Sequence, residues 1–141
     1  MAILALDLGE RKIGLAFSDQ GKIAQRLESI KIGRAGLKGS IGRLQEICQK
    51  HQINKIIIGL PKTLRQEIGP QARIVKNQAQ FLAKRLNLPI IFEDETFSSS
   101  EAAENLANEG FSQKKIQEKI DSESARIILQ NYLEKIKEFN V

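Results

Sequence analysis

Hydrophobic residues alternate with smaller or polar ones along two short runs at the start of the chain, residues 3–8 and 13–18. A period of two is typical of strands, because successive side chains point to opposite faces of a sheet. Gly9 lies between the runs and predicts a turn, so the two runs form a hairpin. A third strand is expected near residues 23–32, before a glycine-rich connection.

The middle of the chain alternates between helical patterns and short apolar runs. One helix is predicted from about Leu37 to His51, and another over residues 71–86, where apolar positions follow helical spacing. The runs KIIIGLP (55–61) and PIIFEDE (89–95) are continuously apolar before they end. Such runs are typical of parallel strands that are buried on both faces.

The last third of the chain predicts helices only. Serines 98–100 can cap a helix that begins around Glu101 and ends at Gly110, and Ser112 can cap a short one. A final helix is predicted to start near Asp121, with an inner stripe of Ala125, Ile128, Tyr132 and Ile136. Three strands followed by alternating helices and strands predict an α/β fold: one mixed five-stranded sheet flanked by helices, in a single domain over residues 1–141.

Composition narrows the class of protein only modestly. The formal net charge of +5 favours a polyanionic partner such as nucleic acid, although an ordinary solvated basic surface has the same charge. Cys48 is the only cysteine, so no disulfide framework or cysteine metal cage is expected, and a cytoplasmic location is predicted. No apolar run approaches the roughly 20 residues of a membrane span, so no membrane partner is expected.

Acidic residues stand at three predicted element boundaries. Asp7 ends the first strand, residues 93–95 (Glu-Asp-Glu) end the last, and Asp121 opens the final helix. Sites in open α/β sheets form beyond the carboxyl ends of parallel strands, and converging carboxylates are typical ligands of hard cations. Three alternatives remain open: Asp7 as a turn former, the acidic triplet as a solvated loop, and Asp121 as a helix N-cap.

The opening string LALDLGERKIGLAFSD (4–19) resembles the start of the YqgF family, also called RuvX. Three further blocks resemble that family in the same order: IIIGLP with GPQA downstream, FEDETFSS, and IDSESARIILQNYL. Together they cover nearly the whole chain. The family is described as Holliday junction resolvases and as nucleases that mature the 5′ end of 16S ribosomal RNA.

The resemblance implies a ribonuclease H-like fold and a metal-dependent nuclease. The implied catalytic and metal-binding acids are Asp7, Glu95 and Asp121, with Asp94 as a further or alternate ligand of Mg²⁺ or Mn²⁺. In this fold the IIIGLP strand lies between the strands of Asp7 and Glu95, so these residues start about 10 Å apart. Gly59 on that strand is expected to leave space for a metal or a phosphate.

The implied partner is nucleic acid, with RNA favoured over a DNA junction and ribosomal particles as a further partner. A monomer or a homodimer is expected. Basic residues near the acidic edge are predicted to position a phosphate backbone without reading bases, although each one fits a solvated surface equally well. These residues are Arg11, Lys12, Lys62, Arg65, Arg73 and Lys76.

Two rival functions remain. The string DLGERKIG also resembles the first phosphate loop of the actin and sugar-kinase superfamily, but that superfamily needs a second domain for which this chain is too short. A non-catalytic nucleic-acid-binding or ribosome-assembly module is the other rival. The absence of an arginine makes this rival possible, since Thr96 stands where the family commonly has one. Binding without metal and without cleavage would identify it.

Overall fold

A computed structural model describes residues 1–61, 69–95 and 98–139 of the chain. Within these ranges five strands form one mixed sheet in the order β3-β2-β1-β4-β5. β1 pairs antiparallel with β2 and parallel with β4, β2 pairs antiparallel with β3, and β4 pairs parallel with β5. The predicted α/β class is confirmed, with β4 between β1 and β5. The strands are β1 (Ala2–Leu8), β2 (Lys12–Ser18), β3 (Gln25–Lys31), β4 (Ile53–Leu60) and β5 (Ile90–Asp94).

Four α-helices accompany this sheet in the described ranges: α1 (Ile41–Lys50), α2 (Pro70–Leu86), α3 (Ser98–Asn108) and α4 (Gln113–Phe139). The first predicted helix begins late, because Gly36–Ser40 forms a short 3₁₀ helix before α1. The predicted boundary at Asp121 is wrong, since α4 runs through it without a break. None of the described helices combines the length and the apolar character needed to cross a membrane.

The sheet is covered on both faces. Leu4, Leu6 and Ile58 belong to the core that α1 and α2 close, whereas Ile3 and Ala5 belong to the core on the other face. On that second face α4 supplies the predicted stripe of Ala125, Ile128, Tyr132 and Ile136. The alternation along β1 therefore places Asp7 on the α4 face, with Ile3 and Ala5.

A buried carboxylate fixes the position of α4. The side chain of Glu123 is fully buried, and it accepts hydrogen bonds from Arg126 Nη2 at 2.6 Å, Arg26 Nη1 at 3.1 Å and Asn105 Nδ2 at 3.0 Å. Burial alone would raise the pKa of Glu123, but these hydrogen bonds and the two guanidinium charges lower it overall. Because Arg26 lies on β3 and Asn105 on α3, this network joins α4 to both elements.

Candidate active site

Asp7 lies near the carboxyl end of β1 and is half-buried on the face that α4 covers. Glu95 follows β5, and its backbone N–H donates to the carbonyl oxygen of Leu60 at 3.4 Å. Gly59 of β4 lies between them. A Cβ atom on Gly59 would lie 2.7 Å from Glu95 Oε2 and 2.6 Å from Cδ1 of Ile128. The expected open space above Gly59 is therefore filled by these two side chains, which corrects the sequence interpretation.

The carboxyl groups of Asp7 and Glu95 meet directly in a hydrogen bond. Burial raises the pKa of both groups. For Glu95, burial, the negative charge of Asp7, the hydrogen bond to Asp7 and the charge of Asp94 together raise the pKa to about 9. Glu95 is therefore protonated at neutral pH and donates to Asp7. This shared proton offsets the cost of an aspartate at the end of a buried strand.

Asp121 reaches the same place from α4. A Cβ atom on Gly14 of β2 would lie 2.0 Å from the carbonyl oxygen of Asp121, so the helix backbone packs directly on the strand. Gly14 pairs with Asp7 across β1 and β2, and the negative charge of Asp121 raises the pKa of Asp7. Burial raises the pKa of Asp121 itself, and the charge of Lys12 partly reverses that rise. The structure thus brings Asp7, Glu95 and Asp121 together.

Gly14→Ala is expected to destabilise the protein by about 3 kcal/mol, because the new methyl group meets backbone atoms of α4 that have no room to move aside. The free energy of unfolding from urea denaturation measures this. Gly42→Ala is the matched control. Gly42 lies in α1 with no neighbour near its missing Cβ, so alanine there should raise the free energy of unfolding by about 0.5–1 kcal/mol. Equal stability of the two variants would contradict the close packing of α4 on β2.

The other two acids of the triplet have different surroundings. Glu93 points to the α4 face and forms an ion pair with Lys135, and so it belongs to the contact between β5 and α4. Asp94 is the last residue of β5, and its charge raises the pKa of Glu95. Among the three, Glu95 is the one that hydrogen-bonds to Asp7.

The predicted basic residues are spread over both faces of this edge. Lys12 is half-buried beside Asp121, and Arg11 is exposed in the turn before β2. Arg73 and Lys76 lie in the first turns of α2, on the face opposite α4. Lys62 and Arg65, like Thr96, lie outside the described residues.

The donor chemistry of the site fits a hard divalent cation, since Asp7, Glu95 and Asp121 offer only carboxyl oxygens. Within residues 1–61, 69–95 and 98–139, no three histidine, cysteine, aspartate or glutamate side chains stand ready to hold a metal ion. In this state the hydrogen bond between Asp7 and Glu95 holds their carboxyl groups against each other. A cation there would take the place of the shared proton.

Sequence reasoning missed two features that hold the site in place. The glycine within the strand pattern KIGLAFS was a signal of close backbone approach at Gly14. The spacing of Glu123 and Arg126, three residues apart on a helix, indicated an ion pair. Its burial, and the participation of Arg26 and Asn105, depend on how α3 and β3 pack, which no local pattern contains.

Solved structures resemble this fold closely enough to define its class. RuvC of Thermus thermophilus, solved in complex with a Holliday junction substrate, matches with a TM-score of 0.56 at 15% identity over 98% of this chain and 96% of that one. A second structure of that RuvC matches with a TM-score of 0.54 at 16% identity, over 98% of this chain and 97% of that one. The likeness shows a RuvC-like ribonuclease H fold.

Sequence comparison identifies the family. The profile of the RuvX family, described as Holliday junction resolvase, matches residues 1–135. A Syntrophomonas wolfei protein named "Putative pre-16S rRNA nuclease" is 41% identical over 95% of this chain and 94% of its own length. A protein of the same name from Listeria innocua is 36% identical over 95% of this chain and 98% of its own length. The chain belongs to the RuvX family of nucleases.

Proposed function

We propose that this protein is a metal-dependent endonuclease that hydrolyses phosphodiester bonds at the 5′ end of precursor 16S ribosomal RNA, in the cytoplasm. The observation that carries the proposal is the convergence of Asp7, Glu95 and Asp121 at the carboxyl edge of a RuvC-like sheet. The names of the Syntrophomonas wolfei and Listeria innocua relatives support RNA as the substrate. The family description supports a DNA four-way junction as the second candidate.

In this proposal Asp7, Glu95 and Asp121 hold Mg²⁺ or Mn²⁺, with Asp94 adjacent to them. Such ions supply an activated water and stabilise the leaving oxygen. The chain's own residues set the conditions. Burial keeps the carboxyl groups poorly hydrated, so they gain strongly from a cation, and the position of Asp121 is fixed by the contact of α4 with Gly14. Lys12 adds a positive charge where a substrate phosphate would approach.

The test is a cleavage assay with three substrates: precursor 16S RNA, unrelated single-stranded RNA and a four-way DNA junction. Each is incubated with Mg²⁺, with Mn²⁺ and with EDTA. Metal-dependent cleavage of the precursor near its mature 5′ end is the expected result. Cleavage confined to the junction would select the resolvase instead. Binding without cleavage under every metal would leave a non-catalytic module.

Glu95→Gln is expected to abolish thermal stabilisation by metal without harming the metal-free fold. In EDTA the glutamine amide donates to Asp7 as the protonated Glu95 does, so the melting temperature stays close to that of wild type. Mg²⁺ at about ten times its dissociation constant raises the free energy of unfolding of the wild-type protein by about 1.4 kcal/mol. This corresponds to a rise in melting temperature of about 3–6 °C. An equal rise in Glu95→Gln would exclude Glu95 as a ligand.

A further inference from the structure

Two lysines lie directly opposite each other at the open end of the hairpin that β2 and β3 form. Lys12 of β2 pairs with Lys31 of β3, on the face that α4 covers. Like charges at such a position destabilise a sheet. Among the described residues no ion pair holds Lys31, which is exposed. This unfavourable arrangement lies beside Asp121, because Lys12 is close enough to lower the pKa of that acid.

A cavity of about 610 Å³ opens between this hairpin and α4. Lys12 and Lys31 line it from the strands and Lys119 lines it from the helix, with its ammonium group 5.2 Å from the ring centre of Phe111. Ser29 adds a hydroxyl group to the wall, whereas the hydroxyl of Ser122 is buried and accepts a hydrogen bond from the backbone N–H of Leu15. We name this cavity the hairpin groove.

The remaining charges of the hairpin groove do not cancel the three lysines. Arg26 is bound to Glu109 and Glu123, so it is already neutralised. Glu118 pairs with Lys115 at 3.3 Å. Glu28 is exposed and is the acid left to oppose the lysines within the described lining. The groove therefore carries an excess of positive charge that an anionic ligand would relieve.

We propose that the hairpin groove binds backbone phosphates of a single polynucleotide strand next to the scissile bond. The inference rests on the proposed nuclease function and extends it to a substrate path from the edge strand β3 past Lys12 to Asp121. A volume of this size takes a drug-sized ligand, and so it accommodates a short stretch of one strand. Contacts from lysines and hydroxyls position a backbone without reading its sequence.

The experiment measures binding of a fluorescein-labelled single-stranded RNA by anisotropy, in EDTA, over a range of salt. Each phosphate contact contributes a slope of about 0.7 in log K against log salt for single strands. Relative to 1 M salt, each contact therefore raises the affinity about eightfold at 50 mM salt. The double variant K31A/K119A should therefore bind about 60-fold more weakly, with a slope smaller by about 1.4. Glu28→Gln should bind more tightly. Lys22→Ala is the matched control, since Lys22 is exposed at the other end of the same hairpin and should bind as wild type does.

Wild-type affinity and salt slope in K31A/K119A would contradict binding in the hairpin groove. An equal loss of affinity in Lys22→Ala would contradict it as well. The melting temperature detects misfolding. It should stay near the wild-type value in K31A/K119A, because relief of the two opposed lysines offsets the lost contact of Lys119 with Phe111. The nuclease proposal is judged separately by cleavage in Mg²⁺. Cleavage of RNA with binding that does not depend on these lysines would support the nuclease proposal and contradict the groove proposal. Lysine-dependent binding without cleavage would support the groove proposal and contradict the nuclease proposal.

Discussion

Asp7→Asn is expected to lower the rate of RNA cleavage at least about a thousandfold while leaving the fold intact. A metal-bound site supplies several kcal/mol of transition-state stabilisation, and about 4 kcal/mol corresponds to a factor of about a thousand. Asp7 links the other two acids of the site, because it hydrogen-bonds to Glu95 and interacts with the charge of Asp121. Asparagine keeps the shape of the side chain but removes the charge that would bind the cation. Single-turnover cleavage at saturating Mg²⁺ measures the effect.

Glu93→Gln is the matched control for Asp7→Asn. It also removes one carboxylate from this edge of the sheet, but Glu93 is engaged with Lys135 and not with the three acids. Cleavage by this variant should stay near the wild-type rate. Cleavage by Asp7→Asn at near wild-type rate would place the chemistry elsewhere. Equal losses in the two variants would indicate a general effect of charge in place of a specific site.

Asp121→Asn is expected to reduce cleavage about a hundredfold, which corresponds to about 3 kcal/mol, with no loss of thermal stability. The smaller factor reflects the position of Asp121, which is half-buried and partly balanced by Lys12. The metal-free protein should be as stable as wild type or more so, because burial and neighbouring acids disfavour the charge that the substitution removes. Cleavage rate and melting temperature are measured on the same preparation.

The interpretation of Asp121 as a helix cap is no longer available, since Asp121 lies inside α4 and not at its start. Asparagine caps a helix about as well as aspartate, so an unchanged melting temperature would also fit a cap at the start of a helix. That explanation does not apply to a residue inside α4. Full activity in Asp121→Asn would reduce this residue to a packing neighbour of Gly14. Asp7 and Glu95 would then hold a cation with some other partner.

The strands and most helices could be predicted from the chain because each carries a local signal. The period of two fixes β1 and β2, and continuous apolar runs fix β4 and β5. The position of β4 between β1 and β5 followed from the family resemblance and not from periodicity. That resemblance also nominated Asp7, Glu95 and Asp121, which the structure brings together; their catalytic role stays a prediction.

The errors have physical reasons. The sequence favours Asp121 as the start of a helix, because aspartate caps helices well. Yet no glycine or proline interrupts residues 113–139, so nothing stops a helix that packing favours. The sequence predicts open space above Gly59, because a glycine lacks a side chain. It is filled by Glu95, whose reach across β4 depends on tertiary packing that a sequence pattern does not encode.

The length of α4 has a consequence for how the site can move. The helix contacts all five strands and α3, and Asp121 lies in its first half, packed against the backbone of β2. Segments with so many buried contacts belong to the most stable cooperative unit of a protein, and they open only when the whole unit opens. Local opening of α4 therefore does not give the substrate access to the site. Asp121 therefore keeps its place beside β2 as long as the molecule is folded, and a nucleic acid must reach it along the surface.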